Sequence, residues 1–323
     1  MKLPDNLGTA PFFIVLNAGS GNEEAAARRS TIEEVMNRSG RAFTLRVVED
    51  PARLDAITDE LTRQAVASGG ILVAAGGDGT INTVAGKAVD AGCPFGVLPQ
   101  GTFNYFGRAH GIPEDLELAV QALLASRLQP VQVGLVNDRI FLVNASIGLY
   151  PQIIEEREAD TKQFGRSRVV ALLSMLKTAL GRTQYLRIGL DEGGKTRTMR
   201  TAVLFVGNNS FQMERLGIEP LSSALEDGKL AAIAPRSVGR LGMMGLMLRG
   251  AIGKLGGARN LVAFSFETLT VKQRTLYGTR KKIKVATDGE IRQLDTPLRF
   301  SVLKDQLLLM KPDSVMTEEQ AAA

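Results

Sequence analysis

The sequence predicts an α/β domain built on a parallel sheet, followed by a mostly antiparallel β domain, and three observations predict it. Up to about Ser126, short apolar runs alternate with amphipathic stretches, as successive βα units on a parallel sheet do. Four of these runs end in loops, three of which carry glycine. Near Pro130 the rhythm changes to period-two segments, with the turn pair Asn137-Asp138 between the first two and no helix separating them, which is the pattern of a hairpin.

Taken in order, Phe12 to Leu16 reads as a buried strand running into Asn17-Ala18-Gly19-Ser20-Gly21. Asn22 to Arg38 places Ile32, Val35 and Met36 on one helical face, and Gly40 supplies the stop. Ala42 to Val48 alternates as a strand, Pro51 to Ala67 reads as a helix, and Ile71 to Ala75 delivers the chain into Gly76-Gly77-Asp78-Gly79-Thr80. A helix from Ile81 to about Ala91 follows. Phe95 to Leu98 is the fourth strand, entering Pro99-Gln100-Gly101-Thr102-Phe103-Asn104, and Glu114 to Ser126 is again helical. Beyond a boundary near residue 131, the strand candidates are Val131 to Gly148, Tyr185 to Leu190, Arg197 to Val206, Lys229 to Ala234, Leu261 to Val271, Lys282 to Ala286 and Leu298 to Leu303. Helical patches interrupt them at Arg168 to Leu180 and Leu241 to Leu255. The polar tail after Lys311 is expected to be loose.

Composition narrows the function classes. The 323 residues are 44% hydrophobic and 23% charged, enough for two domains and unlike disordered, collagen-like or coiled-coil chains. One cysteine, Cys93, forms no intramolecular disulfide, and no apolar leader opens the sequence, which points to a reducing, cytoplasmic compartment. Apolar stretches are broken well before the ~20 residues that span a bilayer. With 39 Lys and Arg against 34 Asp and Glu, the formal charge of +5 suits nucleotide phosphates or acidic headgroups. Trp is absent and aromatics are 5%, which leaves little stacking surface, so nucleic acid is not expected as a partner.

In an open parallel sheet, ligands sit beyond the carboxyl ends of the strands, and here those ends carry the three glycine loops. Gly76, Gly77 and Gly79 leave no Cβ between backbone N–H groups and an incoming phosphate, and the helix starting near Thr80 directs its positive end to the same place. Asn17 to Gly21 and Gly101 to Asn104 repeat the arrangement. Any one loop is compatible with a plain βα turn; three in register point to phosphate. Neither a G-x-x-x-x-G-K-[ST] nor a G-x-G-x-x-G is present.

The set Gly76-Gly77-Asp78-Gly79-Thr80-Ile81-Asn82, Pro99-Gln100-Gly101-Thr102-Phe103-Asn104 and Asp288-Gly289-Glu290 resembles the diacylglycerol kinase and sphingosine kinase family of lipid kinases. The resemblance implies an NAD kinase-like α/β nucleotide-binding domain over residues 10–131, with a returning segment about 304–314, and a β-sandwich lipid-substrate domain over 132–303, with ATP in the cleft between them. It places Asn17, Ala18, Gly19, Ser20, Gly21, Gly76 to Asn82, Gly101, Thr102 and Asn104 on ATP. It makes Glu290 the candidate base, with Asp288 beside it. It also likens the segment around Asp227 to one that holds a structural Mg²⁺, the Asp227 carboxylate joined by main-chain carbonyls near Ala224 and Lys229. The chain departs from the family pattern at Tyr105, where many members carry Asp, at Val131-Gln132-Val133, where many carry a small acidic residue, and after Asn208-Asn209-Ser210, where a Gly-rich stretch is usual.

Phosphoryl transfer to an alcohol asks for phosphate cradles, cations and a carboxylate that takes the hydroxyl proton late. Asp78, Asp288 and Glu290 are the candidates to divide metal and proton duties. Asp288 and Glu290 face one side if they share a regular strand, and Gly289 makes a tight turn equally compatible. The expected activity is therefore ATP- and Mg²⁺-dependent phosphorylation of a membrane lipid alcohol, diacylglycerol first, with ceramide, sphingoid bases and phosphatidylglycerol open. The alternatives are an NAD kinase-like small-molecule kinase and a catalytically silent lipid or nucleotide module. A lipid acceptor implies contact with the inner membrane face. The candidate surface is Leu241 to Leu255, where Met243, Met244, Leu246, Met247, Leu248 and Ile252 lie between Arg240, Arg249 and Lys254. Packing of that helix on the β domain is the competing reading. Arg166, Arg168 and Lys177 form a second candidate patch, Arg280-Lys281-Lys282 reads as a solvated charge run, the single His110 as structural, and a homodimer is compatible with the sequence.

Overall fold

The computed structural model of the protein describes residues 7–19, 22–149, 151, 185–275, 278–279 and 281–312. The chain divides into two compact units, one of Met1–Val133 with Lys304–Ala323 and one of Gly134–Leu303.

The first unit is built from β1 (Phe12–Asn17), α1 (Asn22–Ser39), β2 (Phe43–Val48), α2 (Leu54–Ser68), β3 (Ile71–Gly76), α3 (Asp78–Ala91), β4 (Phe95–Pro99), α4 (Tyr105–Ala109) and α5 (Leu116–Leu124). Its strands pair in parallel in the order β2-β1-β3-β4, and the end of the last strand of the chain joins β4 in parallel at Leu309↔Phe95. β3 is buried along its whole length, as the continuous apolar run of a strand covered on both faces requires. Ile32, Val35 and Met36 pack with Phe12, Ile14, Leu16, Ile71 and Val73, so the face read from their spacing is the buried one. α3 begins at Asp78 rather than at Ile81. Gly77 is extended (φ −80°, ψ 175°) and takes the N-cap position, so Asp78, Gly79 and Thr80 form the first turn. α4 has five residues, too few for a periodic signal.

β5 (Arg127–Val136) leads into the second unit and forms a hairpin with β6 (Arg139–Phe141) about Asn137-Asp138. The rest comprises β7 (Asn144–Gly148), β8 (Leu186–Glu192), β9 (Lys195–Thr201), β10 (Val203–Gly207), α6 (Ser210–Arg215), α7 (Glu219–Glu226), β11 (Leu230–Pro235), α8 (Arg240–Ala251), β12 (Leu261–Phe266), β13 (Thr268–Thr275), β14 (Gly278–Thr279), β15 (Lys282–Thr287), β16 (Glu290–Asp295) and β17 (Leu298–Lys311). One sheet runs β12-β11-β10-β7-β15-β16, every neighbour antiparallel. The other joins β9, β8, β13 and the start of β17. Ala145, Ile147, Val206, Ala232 and Val285 of the first share one core with Ile188, Leu190, Leu269, Val271 and Phe300 of the second, which makes this unit a sandwich.

Two runs expected as single strands are corners. Arg197 to Val206 breaks at Ala202 into β9 and β10, and Leu261 to Val271 breaks at Glu267 into β12 and β13, with the halves in different sheets. At the first corner the Thr201 hydroxyl meets the carbonyls of Val203 and Pro235, and the Ala202 carbonyl accepts Leu149 N–H. Alternation continues through such a corner and gives no sign of it. The helical patch at 168–180, with Arg166, Arg168 and Lys177, lies outside the described residues, as do Ser20, Gly21, Arg280 and the tail from 313. Among the described residues, no helix is long and apolar enough to cross a membrane.

Candidate active site

Three loops leave the carboxyl ends of β1, β3 and β4, and hydrogen bonds hold them to one another. Asn17 Nδ2 donates to Thr80 Oγ1 at 2.7 Å, tying the first loop to the first turn of α3. Asn17 Oδ1 accepts Gly19 N–H at 3.1 Å, and Gly19 turns with φ +66°, so one side chain both folds its own loop and reaches the next. Ala18 is buried and its N–H donates to the Val48 carbonyl. The second and third loops meet backbone to backbone: Gln100 N–H donates to the Gly76 carbonyl at 2.8 Å, and a Cβ on Gly101 would lie 3.0 Å from the Gly77 Cα. Gly76 is covered by Thr80, whose Cβ would stand 2.8 Å from any side chain placed there. These glycines are therefore required by close approach.

α3 opens at this junction. Its first intrahelical bond runs from Ile81 N–H to the Gly77 carbonyl. The preceding N–H groups of Asp78, Gly79 and Thr80 have no acceptor within the helix, and the helix dipole adds positive potential there. Asp78 is the one carboxylate in that first turn, and burial raises its pKa, opposed by hydrogen bonds from the Phe106 and Tyr105 N–H groups. Ile81 is fully buried and holds the helix to the sheet, whereas Asn82 is half-buried.

Asn104 shapes the third loop. It sits in the left-handed region (φ 47°), is buried, and its Oδ1 accepts Gly101 N–H at 2.7 Å. Its side chain also hydrogen-bonds Glu114, whose carboxyl is held below its ordinary range first by the Arg108 guanidinium. Thr102 is exposed, and Phe103 and Tyr105 stack with ring planes 6° apart. Sequence reasoning passed over Gln100. Its Oε1 and Nε2 are both buried without a hydrogen-bond partner, and with Arg28, Gly101, Asn104 and Glu114 it lines a cavity of about 310 Å³. An amide with both ends unsatisfied is costly unless a ligand or water completes it, and its place in the Pro99-Gln100-Gly101 loop was the available signal.

In the second unit, Asp288 and Glu290 do not share a strand. Thr287 pairs with Glu290 across a two-residue hairpin in which Asp288 (φ 47°) and Gly289 (φ 91°) both take positive φ, as a type I′ turn demands. Asp288 is buried, and its carboxylate accepts three backbone N–H groups, from Leu142 at 2.7 Å, Val143 at 2.9 Å and Asn144 at 2.8 Å. Those bonds have Asp288 hold the 142–144 turn. Asn208 Nδ2 donates to the Leu142 carbonyl, Asn144 Nδ2 to Gln212 Oε1, and Gln212 N–H to Asn209 Oδ1, so Asn208 and Asn209 join the same network. Glu290, at the start of β16, is about half exposed and pairs with Arg292 at 3.0 Å.

Asp227, Ala224 and Lys229 do come together, in the turn that ends α7. Lys229 N–H donates to the Ala224 carbonyl, Gly228 N–H to that of Leu225, and Gly228 has φ +76°, which is a Schellman motif. The turn is thus closed by its own backbone, with the exposed carboxylates of Glu226 and Asp227 beside it. Among the described residues, no three His, Cys, Asp or Glu side chains group as metal ligands.

Residues 11–136, which carry all three loops, match the family described as the diacylglycerol kinase catalytic domain. The chain's relatives include a protein named "Probable lipid kinase YegS-like" from Cronobacter sakazakii, 29% identical over 186 residues, 56% of this chain and 56% of its own length. A "Diacylglycerol kinase" from Staphylococcus saprophyticus is 30% identical over 151 residues, 46% of this chain and 48% of its own. The chain thus spans about half the length of these curated relatives. A crystal structure of a diacylglycerol kinase from Bacillus anthracis str. Sterne shares the fold of both units, with TM-score 0.67 over 95% of this chain and 98% of that one at 16% identity. The catalytic-domain match ends before Asp227, Asp288 and Glu290.

Proposed function

We propose that the protein is an ATP-dependent lipid kinase that transfers the γ-phosphoryl group of ATP to the hydroxyl of a membrane lipid alcohol, with diacylglycerol as the first acceptor to test. The observation that carries this reading is the junction of the glycine loops at the start of α3, inside the stretch that matches the diacylglycerol kinase catalytic-domain family. ATP bound there supplies the phosphoryl group. Backbone N–H groups in the first turn of α3, from Asp78 to Thr80, hold its phosphate oxygens, and the glycines at 76 and 101 let the loops around that turn pack on one another. Asp78 stands beside those phosphates, where a carboxylate is suited to orienting the Mg²⁺ that travels with ATP.

Glu290 is the base in this proposal. As the acceptor oxygen bonds to the γ-phosphorus and the bond to the bridging oxygen breaks, Glu290 takes the hydroxyl proton and ADP leaves. Asp288 contributes by fixing the hairpin that presents Glu290. A structural Mg²⁺ at the Asp227 turn belongs to the same proposal, and the main-chain carbonyls near Ala224 and Lys229 would complete its shell. Its test is thermal: added Mg²⁺ should raise the Tm of the wild type and not that of Asp227→Ala.

The deciding experiment is transfer of label from γ-³²P-ATP and Mg²⁺ into mixed micelles of diacylglycerol, ceramide, sphingosine and phosphatidylglycerol, with NAD⁺ as a separate aqueous acceptor. Label in an extractable lipid supports the reading and names the acceptor. Label in NADP⁺ alone, or ATP binding without transfer to any acceptor, overturns it.

A further inference from the structure

Among the described residues, five large hydrophobic side chains are exposed, and three of them, Leu241 (77% exposed), Leu248 (54%) and Ile252 (64%), belong to α8 and its C-cap. Single exposed apolar residues are ordinary on a protein surface. These three are not scattered: at about 100° per residue, positions 241, 248 and 252 fall within about 40° of arc. The opposite side of the helix is the one that packs. Met243 is buried with Leu149 and Ala202, and Met247, Val238 and Tyr185 close around them. The expected surface is therefore corrected at Met243 and Met247, which face the protein, while the outward face is carried by Leu241, Leu248 and Ile252.

The helix is held firmly in this attitude. Past its end, Leu255 N–H donates to the Leu216 carbonyl, and a Cβ on Gly217 would lie 2.0 Å from the Gly253 carbonyl oxygen, so only glycine lets the turn after α8 pack on the turn after α6. The apolar face is thus preformed on rigid backbone.

Charge indicates the partner. From Gly228 to Phe266 the chain carries Lys229, Arg236, Arg240, Arg249, Lys254 and Arg259 and not a single Asp or Glu. Arg249, Lys254 and Arg259 are exposed. A stripe of large aliphatic side chains in a segment of one charge sign matches the boundary between acyl chains and anionic headgroups.

We infer that α8 and the turn after it form an anchor that lies in the plane of an anionic lipid leaflet, with Leu241, Leu248 and Ile252 inserted below the headgroups. The lysines and arginines around them meet the phosphates. Such an anchor deepens the lipid kinase reading, since it brings the protein to acceptors that stay in the bilayer, yet its test is independent of catalysis.

The experiment is flotation of the full chain, without ATP, with vesicles of phosphatidylcholine alone and with vesicles containing 30% phosphatidylglycerol, for wild type and for L241S/L248S/I252S. The wild type should float with the anionic vesicles, bind them less as salt is raised, and lose at least about tenfold in binding when the three side chains are replaced. The exposed positions make these replacements neutral for folding, checked by an unchanged Tm. Equal flotation of wild type and variant overturns the proposal. So does a wild type that is dimeric in the absence of lipid while the variant is monomeric, because that assigns the face to a second copy of the chain. Phosphorylation of a dispersed short-chain diacylglycerol, measured in parallel, separates the two readings: flotation without any transfer leaves the anchor standing and removes the kinase, and transfer without flotation does the reverse.

Discussion

Asn17 and Thr80 stand 63 residues apart in sequence, and the 2.7 Å hydrogen bond from Asn17 Nδ2 to Thr80 Oγ1 locks the loop after β1 to the first turn of α3. Because Asn17 also accepts Gly19 N–H, its loss frees its own loop and the first turn of α3 together. A partly buried hydrogen bond of this kind contributes about 1 to 1.5 kcal/mol. Asn17→Ala should weaken ATP binding about tenfold, measured by calorimetric titration, and Thr80→Val should do the same. Full ATP affinity in both variants would remove this bond from the site.

Two glycines of these loops make opposite predictions. At Gly101 a Cβ meets Asn104 Oδ1 at 2.9 Å and the Gly77 Cα at 3.0 Å, one of them rigid backbone. At Gly77, with φ −80°, the nearest atom would be 3.5 Å away, an ordinary contact. Gly101→Ala should therefore cost about 1 to 3 kcal/mol of folding stability in denaturant titrations. Gly77→Ala should unfold within about 0.5 kcal/mol of the wild type. Equal stability of the two variants would show that the loops are not in contact.

Asp288 and Glu290 are separated by one residue and by surroundings. Asp288→Ala strands three backbone N–H groups and removes a residue type that tolerates positive φ, and the loss should be about 3 kcal/mol, with Asp288→Asn intermediate. Glu290 is half exposed, so Glu290→Gln should leave stability within about 0.5 kcal/mol while lowering kcat roughly 10² to 10⁴-fold. A Glu290→Gln enzyme with wild-type turnover would take the base elsewhere.

Much of this was legible in the sequence, and the parts that were not have a common cause. The parallel strands announce themselves because burial on both faces writes an uninterrupted apolar run, as in Ile71 to Ala75, and the loops announce themselves through glycine, which close approach requires at Gly76 and Gly101. The sandwich corners at Ala202 and Glu267 were hidden because a strand that changes sheets keeps its alternation. The partners of Asp288 lie more than 140 residues earlier in the chain, so local sequence offered a turn and nothing more. On α8, composition revealed an apolar helix with basic residues, and the three-dimensional packing of Met243 and Met247 was needed to say which side faces out.

His110 is the only histidine, so its titration is separable from every other group. Its ring packs edge-on against Phe106 with centroids 4.6 Å apart. Burial, and secondarily the Lys311 cation, lowers its pKa from 6.5 to about 3. The folded protein thus keeps a neutral imidazole while the unfolded chain takes up a proton below pH 6.5. Stability from this source is fully present above pH 6.5 and declines as the pH falls toward 3. The decline is less than the full value of about 1.4 kcal/mol per pH unit, because the residue as a whole keeps part of its surface in solvent. His110→Phe keeps the ring packing and removes the titration. Denaturant titrations between pH 7 and pH 5, above the range where most carboxylates protonate, should show the wild type losing stability relative to this variant. Parallel curves for the two proteins would mean that His110 takes up a proton as readily in the folded protein as in the unfolded chain, and that its environment is open.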